Sequence, residues 1–193
     1  MEKSNKQIKR NMNSLKEQYN KEIVPQLKEK FGYTNNMAVP KLVKVVVNVG
    51  TGSAKDKAKK DLIIKSLEAI TGQKPASNAA RKSIATFKLR EGMVIGNSVI
   101  LRRERMYDFL TRLISGAIPR IRDFRGLETK GIDKMGNFTM GIKEHIVFPE
   151  MSDQDVRSAF SLGITIVTTA KTKEEAEDLL KLIGIPFKKK VSK

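Results

Sequence analysis

The run KLVKVVVNVG, Lys41–Gly50, constrains this chain more than any other stretch. It holds five valines in ten residues. Branched side chains are stiff at χ1 and pack well on a pleated surface, so the run predicts a largely buried strand ending in a glycine-containing loop. ITIVTTA, from Ile164, predicts a second buried strand, and Ile95–Arg102 a third. Ile84, Thr86, Lys88 and Arg90 alternate with Ala85, Phe87 and Leu89. That period of two predicts a further strand, joined to Ile95–Arg102 across the Glu91-Gly92 turn as a hairpin. The Gly- and charge-rich segment from Pro119 to Glu150 reads as strand and loop, with Glu144-His145 inside a strand.

Helical periodicity fills much of the remainder. Leu15, Tyr19, Ile23 and Leu27 form an apolar stripe, with Pro25 set to kink that helix or start a new one and Gly32 to end it. Asp56–Thr71 turns Leu62, Ile63, Leu67 and Ile70 inward and stops at Gly72. Arg103–Ile118 buries Met106, Phe109, Leu110, Leu113, Ile114 and Ala117, and Pro119 stops it. Thr172 with Glu175 makes a capping box for a last helix, which turns Ala176, Leu179, Leu180 and Ile183 inward. Helices alternating irregularly with consecutive strands predict an α+β fold. The expectation is a single domain, residues 16–188, with a mostly antiparallel sheet and helices packed on one face. Residues 1–15 read as a basic extension and 189–193 as a basic tail.

Charge narrows the function. Lys and Arg number 38 against 21 Asp and Glu, a formal charge of +17. Such a surface attracts phosphate polymers or anionic lipid. From Lys74 to Lys130 there are 13 basic and 5 acidic residues, whereas from Glu144 to Lys193 there are 8 of each. The excess is therefore central. No run of 18 apolar residues occurs, and the first ten residues lack the apolar core of a secretory signal. With no cysteine and one histidine, thiolate and multi-histidine metal sites are excluded. The absence of cysteine fits a reducing compartment.

No constellation for catalysis emerges, and no metal or cofactor is expected. His145 is a lone histidine among apolar neighbours. Asp153 and Asp155 sit in a helix-start composition that favours capping. Gly50 and Gly52 lack the third glycine or the G-K-[ST] of a nucleotide loop, so a tight strand-to-helix turn is preferred. Binding chemistry is better supported. Arg102, Arg103 and Arg105 cluster at one helix start, and Arg120, Arg122 and Arg125 lie in PRIRDFRG. The arginine fork suits phosphate. Pairing with Glu104, Asp108 and Asp123 is expected to neutralise about half of these arginines. Phe87 admits two readings, a platform for an unpaired base or a core phenylalanine. Zinc-finger, leucine-zipper and helix-turn-helix patterns are absent, which favours RNA over DNA. An acidic-membrane module would need a basic amphipathic helix, but the cations fall mostly on strands and loops.

Five motifs occur in order: TGQKP (Thr71–Pro75), KSIATFKLREGM (Lys82–Met93), IPRIRDFRGL (Ile118–Leu127), GNFTMGIKEHIVFPE (Gly136–Glu150) and ITIVTTAKTKEEAEDLLKLIGIPF (Ile164–Phe187). Together they closely resemble the L-five family of large-subunit ribosomal proteins, bacterial type, over about residues 19–188. The resemblance implies a non-catalytic, cytoplasmic, ribosome-bound protein in the central protuberance. Its implied partners are 5S rRNA, 23S rRNA, P-site tRNA, the small-subunit protein S-thirteen and neighbouring ribosomal proteins. The matching 5S positions are Asn48 and Gln73, with Lys88, Arg90 and Arg102 beside them. A tRNA-facing loop resembles Ala76–Ser83 and offers Ser77, Asn78, Arg81 and Lys82. A bridge to the small-subunit head resembles the loop with Asp133, Lys134, Met135 and Asn137. This chain departs from the family at Ile100 for threonine, Val94 for proline, Met135 for arginine, and Ala79 or Ala80 where a basic residue is frequent.

Overall fold

The computed structural model describes residues 14–52, 56–151 and 159–188. Most of the basic extension, the Asp153–Asp155 pair and the basic tail lie outside the described residues. Five strands form one antiparallel sheet in the order β2-β3-β1-β5-β4. They are β1 (Leu42–Gly50), β2 (Ala76–Ala79), β3 (Val94–Leu101), β4 (Phe138–Ile142) and β5 (Leu162–Thr168). The described helices are α1 (Ser14–Gln18), α2 (Val24–Phe31), α3 (Lys57–Thr71), α4 (Arg103–Arg112) and α5 (Lys173–Ile183). This is the α+β class that the element pattern predicts.

Burial alternates along β4, β5 and most of β1. In β1, Val45, Val47 and Val49 are buried, while Lys44, Val46 and Asn48 are partly or fully exposed. In β4, Phe138, Met140 and Ile142 are buried between exposed Thr139 and Gly141. Period two with one apolar face fixes strand register, because a one-residue slip would expose every buried valine at about 1.5–3 kcal/mol each.

Contacts along the chain gather into two compact units. The first comprises residues 1–45, 102–140 and 165–193. Tyr19–Ile23 forms a π turn that leads into α2, and Pro25 sits in the first turn of α2. α2 ends at Gly32, which has φ +68°. α4 continues through a π turn, Leu113–Ala117, and a 3₁₀ turn, Ile118–Arg120, that carries Pro119. α5 opens as predicted. Thr172 Oγ1 accepts from the Glu175 amide, and Glu175 Oε2 accepts in turn from the Lys171 amide. Its Ala176, Leu179, Leu180 and Ile183 are buried.

The second unit comprises residues 46–101 and 141–164. α3 packs on β3 and against the Pro149–Met151 turn, with Ile63, Leu67 and Ile70 buried. Its C-cap is Gly72 at φ +67°. Glu144-His145 is not in a strand. His145–Val147 is a 3₁₀ turn, and the predicted strand ends earlier, at Ile142. The His145 ring is fully buried and stacks on Phe160 at 3.9 Å and 13°, and its Nδ1 accepts from the Phe160 amide at 3.4 Å. It is a packed residue.

The larger correction concerns residues 76–93. The strand that pairs with β3 is Ala76–Ala79, not Ile84–Arg90. Ala76 faces Ser98, Ser77 faces Asn97 and Asn78 faces Gly96, with a register shift before Ala79. Ser77 and Asn78 therefore stand in a strand, and only the second half of the expected Ala76–Ser83 loop is loop. Ile84 and Leu89 pair with each other across a 3₁₀ turn, Ala85–Phe87. Lys88 has φ +54°, in the left-handed region and outside the extended range of a regular strand.

Candidate nucleic-acid interface

In the second unit the outward face of β2 and β3 is built from small and polar residues. Asn78 Nδ2 donates to Ser98 Oγ at 3.1 Å. Gly96 lies between two amides. A Cβ added there would sit 4.0 Å from both Asn48 Oδ1 and Asn78 Nδ2, and 3.3 Å from the Val49 carbonyl oxygen. Asn48 and Asn78 are exposed. Next along β2, the exposed Ser77 donates from Oγ to Oδ1 of buried Asn97 at 3.1 Å and ties β2 to β3. Glycine in a strand marks a place where another backbone or ligand can approach closely. Ile100 is 45% exposed and offers only carbon.

Gln73 follows the α3 C-cap and is half-buried. Thr71 Oγ1 holds its backbone from both sides, donating to the Gln73 carbonyl at 3.1 Å and accepting from the Gln73 amide at 3.3 Å. The Gln73 side-chain amide makes no hydrogen bond among the described residues. It is positioned and unspent.

Residues 80–93 form a hydrogen-bonded finger rather than a slack loop. Ala80 and Gly92 or Met93 close its base at 2.8–3.0 Å, and Ile84 and Leu89 exchange two backbone bonds of 3.1 Å. Ser83 Oγ accepts from the Glu91 amide at 3.0 Å. Phe87, at the tip, is 70% exposed, which removes the core alternative. Arg81, Lys82, Lys88 and Arg90 are all exposed along the finger. A rigid stalk that carries four cations and one aromatic ring can meet phosphates and stack on a base together.

The expected neutralisation of arginines does not occur. Among the described residues, none of Arg81, Arg90, Arg102, Arg103, Arg105, Arg120, Arg122 and Arg125 is in an ion pair. Glu104 engages Lys16 instead, at 3.7 Å. Arg102 lies just past β3, in the first unit.

Also in the first unit, Asp133–Asn137 is a clamped loop. Asp133 Oδ1 accepts from the Asn137 amide at 2.7 Å, and Oδ2 accepts from Asn137 Nδ2 at 3.0 Å. These bonds hold the Asp133 carboxyl below its ordinary range. Asn137 Oδ1 accepts from the Thr168 amide, and the Gly136 carbonyl accepts from Thr168 Oγ1 at 2.7 Å. Gly136 has φ +75°, and a Cβ there would lie 2.7 Å from Ala170 Cβ. The clamp leaves Lys134 exposed and Met135 71% exposed at the tip. Asp133 and Asn137 are thus the frame of this loop, and Lys134 and Met135 its presented surface.

Sequence reasoning missed Gly96, Ser98 and the placement of Asn78 in a strand beside them. The β2–β3 register brings them together, and no local pattern encodes that register. Among the described residues no group of three or more His, Cys, Asp or Glu could hold a metal ion. No described helix is long and apolar enough to cross a membrane.

Comparison with known proteins gives a consistent result. Residues 35–90 match the family described as Ribosomal protein L5, and residues 94–187 match the family that describes the C-terminus of the same ribosomal proteins. The large ribosomal subunit protein uL5 of Desulforapulum autotrophicum is 55% identical over 178 residues, covering 92% of this chain and 99% of that protein. The uL5 of Halothermothrix orenii is 54% identical, covering 91% and 99%. The uL5 of Streptococcus pyogenes serotype M49 is 52% identical, covering 92% and 99%.

Proposed function

This chain belongs to the ribosomal protein L5 family, bacterial type, as a non-catalytic structural protein of the large ribosomal subunit, and on that premise we propose that it docks on 5S rRNA through its open sheet face. The observation that carries this reading is the pair of exposed amides, Asn48 and Asn78, on either side of buried Gly96, with half-buried Ser98 bonded to Asn78. Side-chain amides and a hydroxyl can donate to and accept from ribose 2′-hydroxyls and base edges. Gly96 puts no side chain between the two amides. Gln73 adds a further unused amide beside α3. Lys88 and Arg90 supply phosphate contacts that position the RNA without reading its sequence.

The finger extends the reading to a second RNA. Arg81 and Lys82 are the phosphate partners for P-site tRNA, and Phe87 supplies a stacking surface. The clamped loop with Lys134 and Met135 at its tip is the bridge to protein S-thirteen in the small-subunit head. Contacts with 23S rRNA and neighbouring proteins complete a cytoplasmic, ribosome-bound role in the central protuberance.

Filter binding to isolated 5S rRNA tests this reading. Each neutralised phosphate contributes about 0.7–0.9 to the slope of log affinity against log salt, so affinity should fall steeply between low and physiological salt. A flat titration contradicts electrostatic docking.

A further inference from the structure

The chain has no cysteine, so its methionine thioethers carry all of its sulfur chemistry. Among the described residues, Met106, Met140 and Met151 are at most 5% exposed, and Met93 is half-buried. Met37 and Met135 are 77% and 71% exposed. In the first unit, Met135 stands on the clamped Asp133–Asn137 loop, and the Asp133 carboxylate accepts from its amide as well as from Asn137. A loop fixed in this way presents the thioether instead of folding it inward. Lys134 is exposed beside it. Methionine is enriched at interface centres, because a flexible, polarisable thioether fills irregular apolar hollows.

We propose that Met135 is a redox-sensitive contact, whose oxidation by hydrogen peroxide to the sulfoxide weakens the docking of this loop on its protein partner. It rests on the reading of the loop as the bridge to protein S-thirteen. In the step, the Met135 sulfur attacks one oxygen of the peroxide. An S–O bond forms, the O–O bond breaks, and sulfur gives up two electrons. The departing hydroxide takes the proton of the transferred hydroxyl and leaves as water. The product keeps the length of the side chain but is polar and chiral. A contact that buried the thioether would then bury an unpaired oxygen. The loop's formal charge is unchanged, so the loss is one of packing and not of electrostatic attraction. Oxidation needs the sulfur open to solvent, so it acts on the free loop, and a docked loop is protected.

The full chain is titrated with hydrogen peroxide, its oxidised methionines are mapped by peptide mass spectrometry, and binding to purified protein S-thirteen is measured before and after. Met37 and Met135 should gain one oxygen before Met106, Met140 and Met151 do. Wild type should then bind S-thirteen about tenfold more weakly, with its salt dependence unchanged. Met37→Leu should lose affinity in the same way. Met135→Leu should bind within about twofold of untreated wild type and keep that affinity in peroxide. Met135→Gln, polar and of similar length, should bind as weakly as oxidised wild type without any peroxide. Methionine sulfoxide reductases should restore the treated wild type. Equal affinity before and after oxidation of Met135 overturns the proposal, as does a Met135→Leu chain that loses affinity in peroxide as wild type does. If untreated wild type fails to bind S-thirteen, the bridge reading falls and the redox contact with it. If it binds and the sulfoxide form binds equally well, only the redox contact falls.

Discussion

The Asn78 amide donates to the Ser98 hydroxyl at 3.1 Å, from β2 to β3, on an exposed sheet face beside Gly96. That pairing keeps both groups oriented before any partner arrives, so little ordering remains to be done on binding.

Gly96→Val should separate docking from folding. The new Cβ lies 3.3 Å from the Val49 carbonyl oxygen, so one of the two strands must give by a few tenths of an ångström to seat valine, itself a good strand former. That Cβ stands 4.0 Å from both Asn48 Oδ1 and Asn78 Nδ2. Thermal unfolding should show a small change, while 5S rRNA affinity falls about tenfold, some 1.4 kcal/mol. Unchanged affinity would remove the sheet face from the interface.

Phe87 is exposed, so Phe87→Ala should leave Tm nearly unaltered. Stacking on a base is worth about 1–3 kcal/mol, so RNA affinity should drop about 5- to 150-fold. Phe87→Tyr keeps the ring and should retain binding, whereas Phe87→Leu keeps the apolarity and should not. Equal behaviour of the Tyr and Leu variants would exclude stacking.

Gly136→Ala should be destabilising. Its Cβ would sit 2.7 Å from Ala170 Cβ and 3.0 Å from the Ala170 carbonyl, at φ +75°. A loss of about 1–3 kcal/mol is expected, lowering Tm by roughly 3–9 °C for a chain of this size. Gly141→Ala is the control, since nothing lies within 4 Å of the added carbon, and it should be close to neutral.

The Asp133 carboxyl is held below its ordinary range by the Asn137 side-chain and backbone donors. A folded pKa below the unfolded value means that the clamp's contribution is complete above about pH 4 and is lost as pH falls through the folded value. Amide exchange at Asn137 should therefore speed up with acidification below pH ~4, beyond the intrinsic rate change. Asp133→Asn should abolish that dependence. A wild-type profile as flat as the variant's would show that the ionised carboxylate does not hold the loop.

Much of the scaffold was legible because its signals are local. The valine density of Lys41–Gly50, the stops at Gly32 and Gly72, and the Thr172 cap each depend on a few neighbouring residues. The finger was not legible. Ile84–Arg90 alternates as a strand does, but Lys88 in the left-handed region and the Ile84–Leu89 pairing fold it back on itself. Ala76–Ala79 carries no strong β former, and it becomes a strand because β3 offers a partner edge, a tertiary override of propensity. The Asp133–Asn137 residues were singled out by resemblance, yet the division into frame and presented tip needed the hydrogen bonds.

Nuclease footprinting of isolated 5S rRNA tests sheet-face docking most directly. Wild type should protect one contiguous region, and Asn48→Ala with Gln73→Ala should weaken that protection about tenfold or more with Tm retained. A footprint unchanged by the double substitution, or no protection by the wild type, contradicts docking of 5S rRNA on this face.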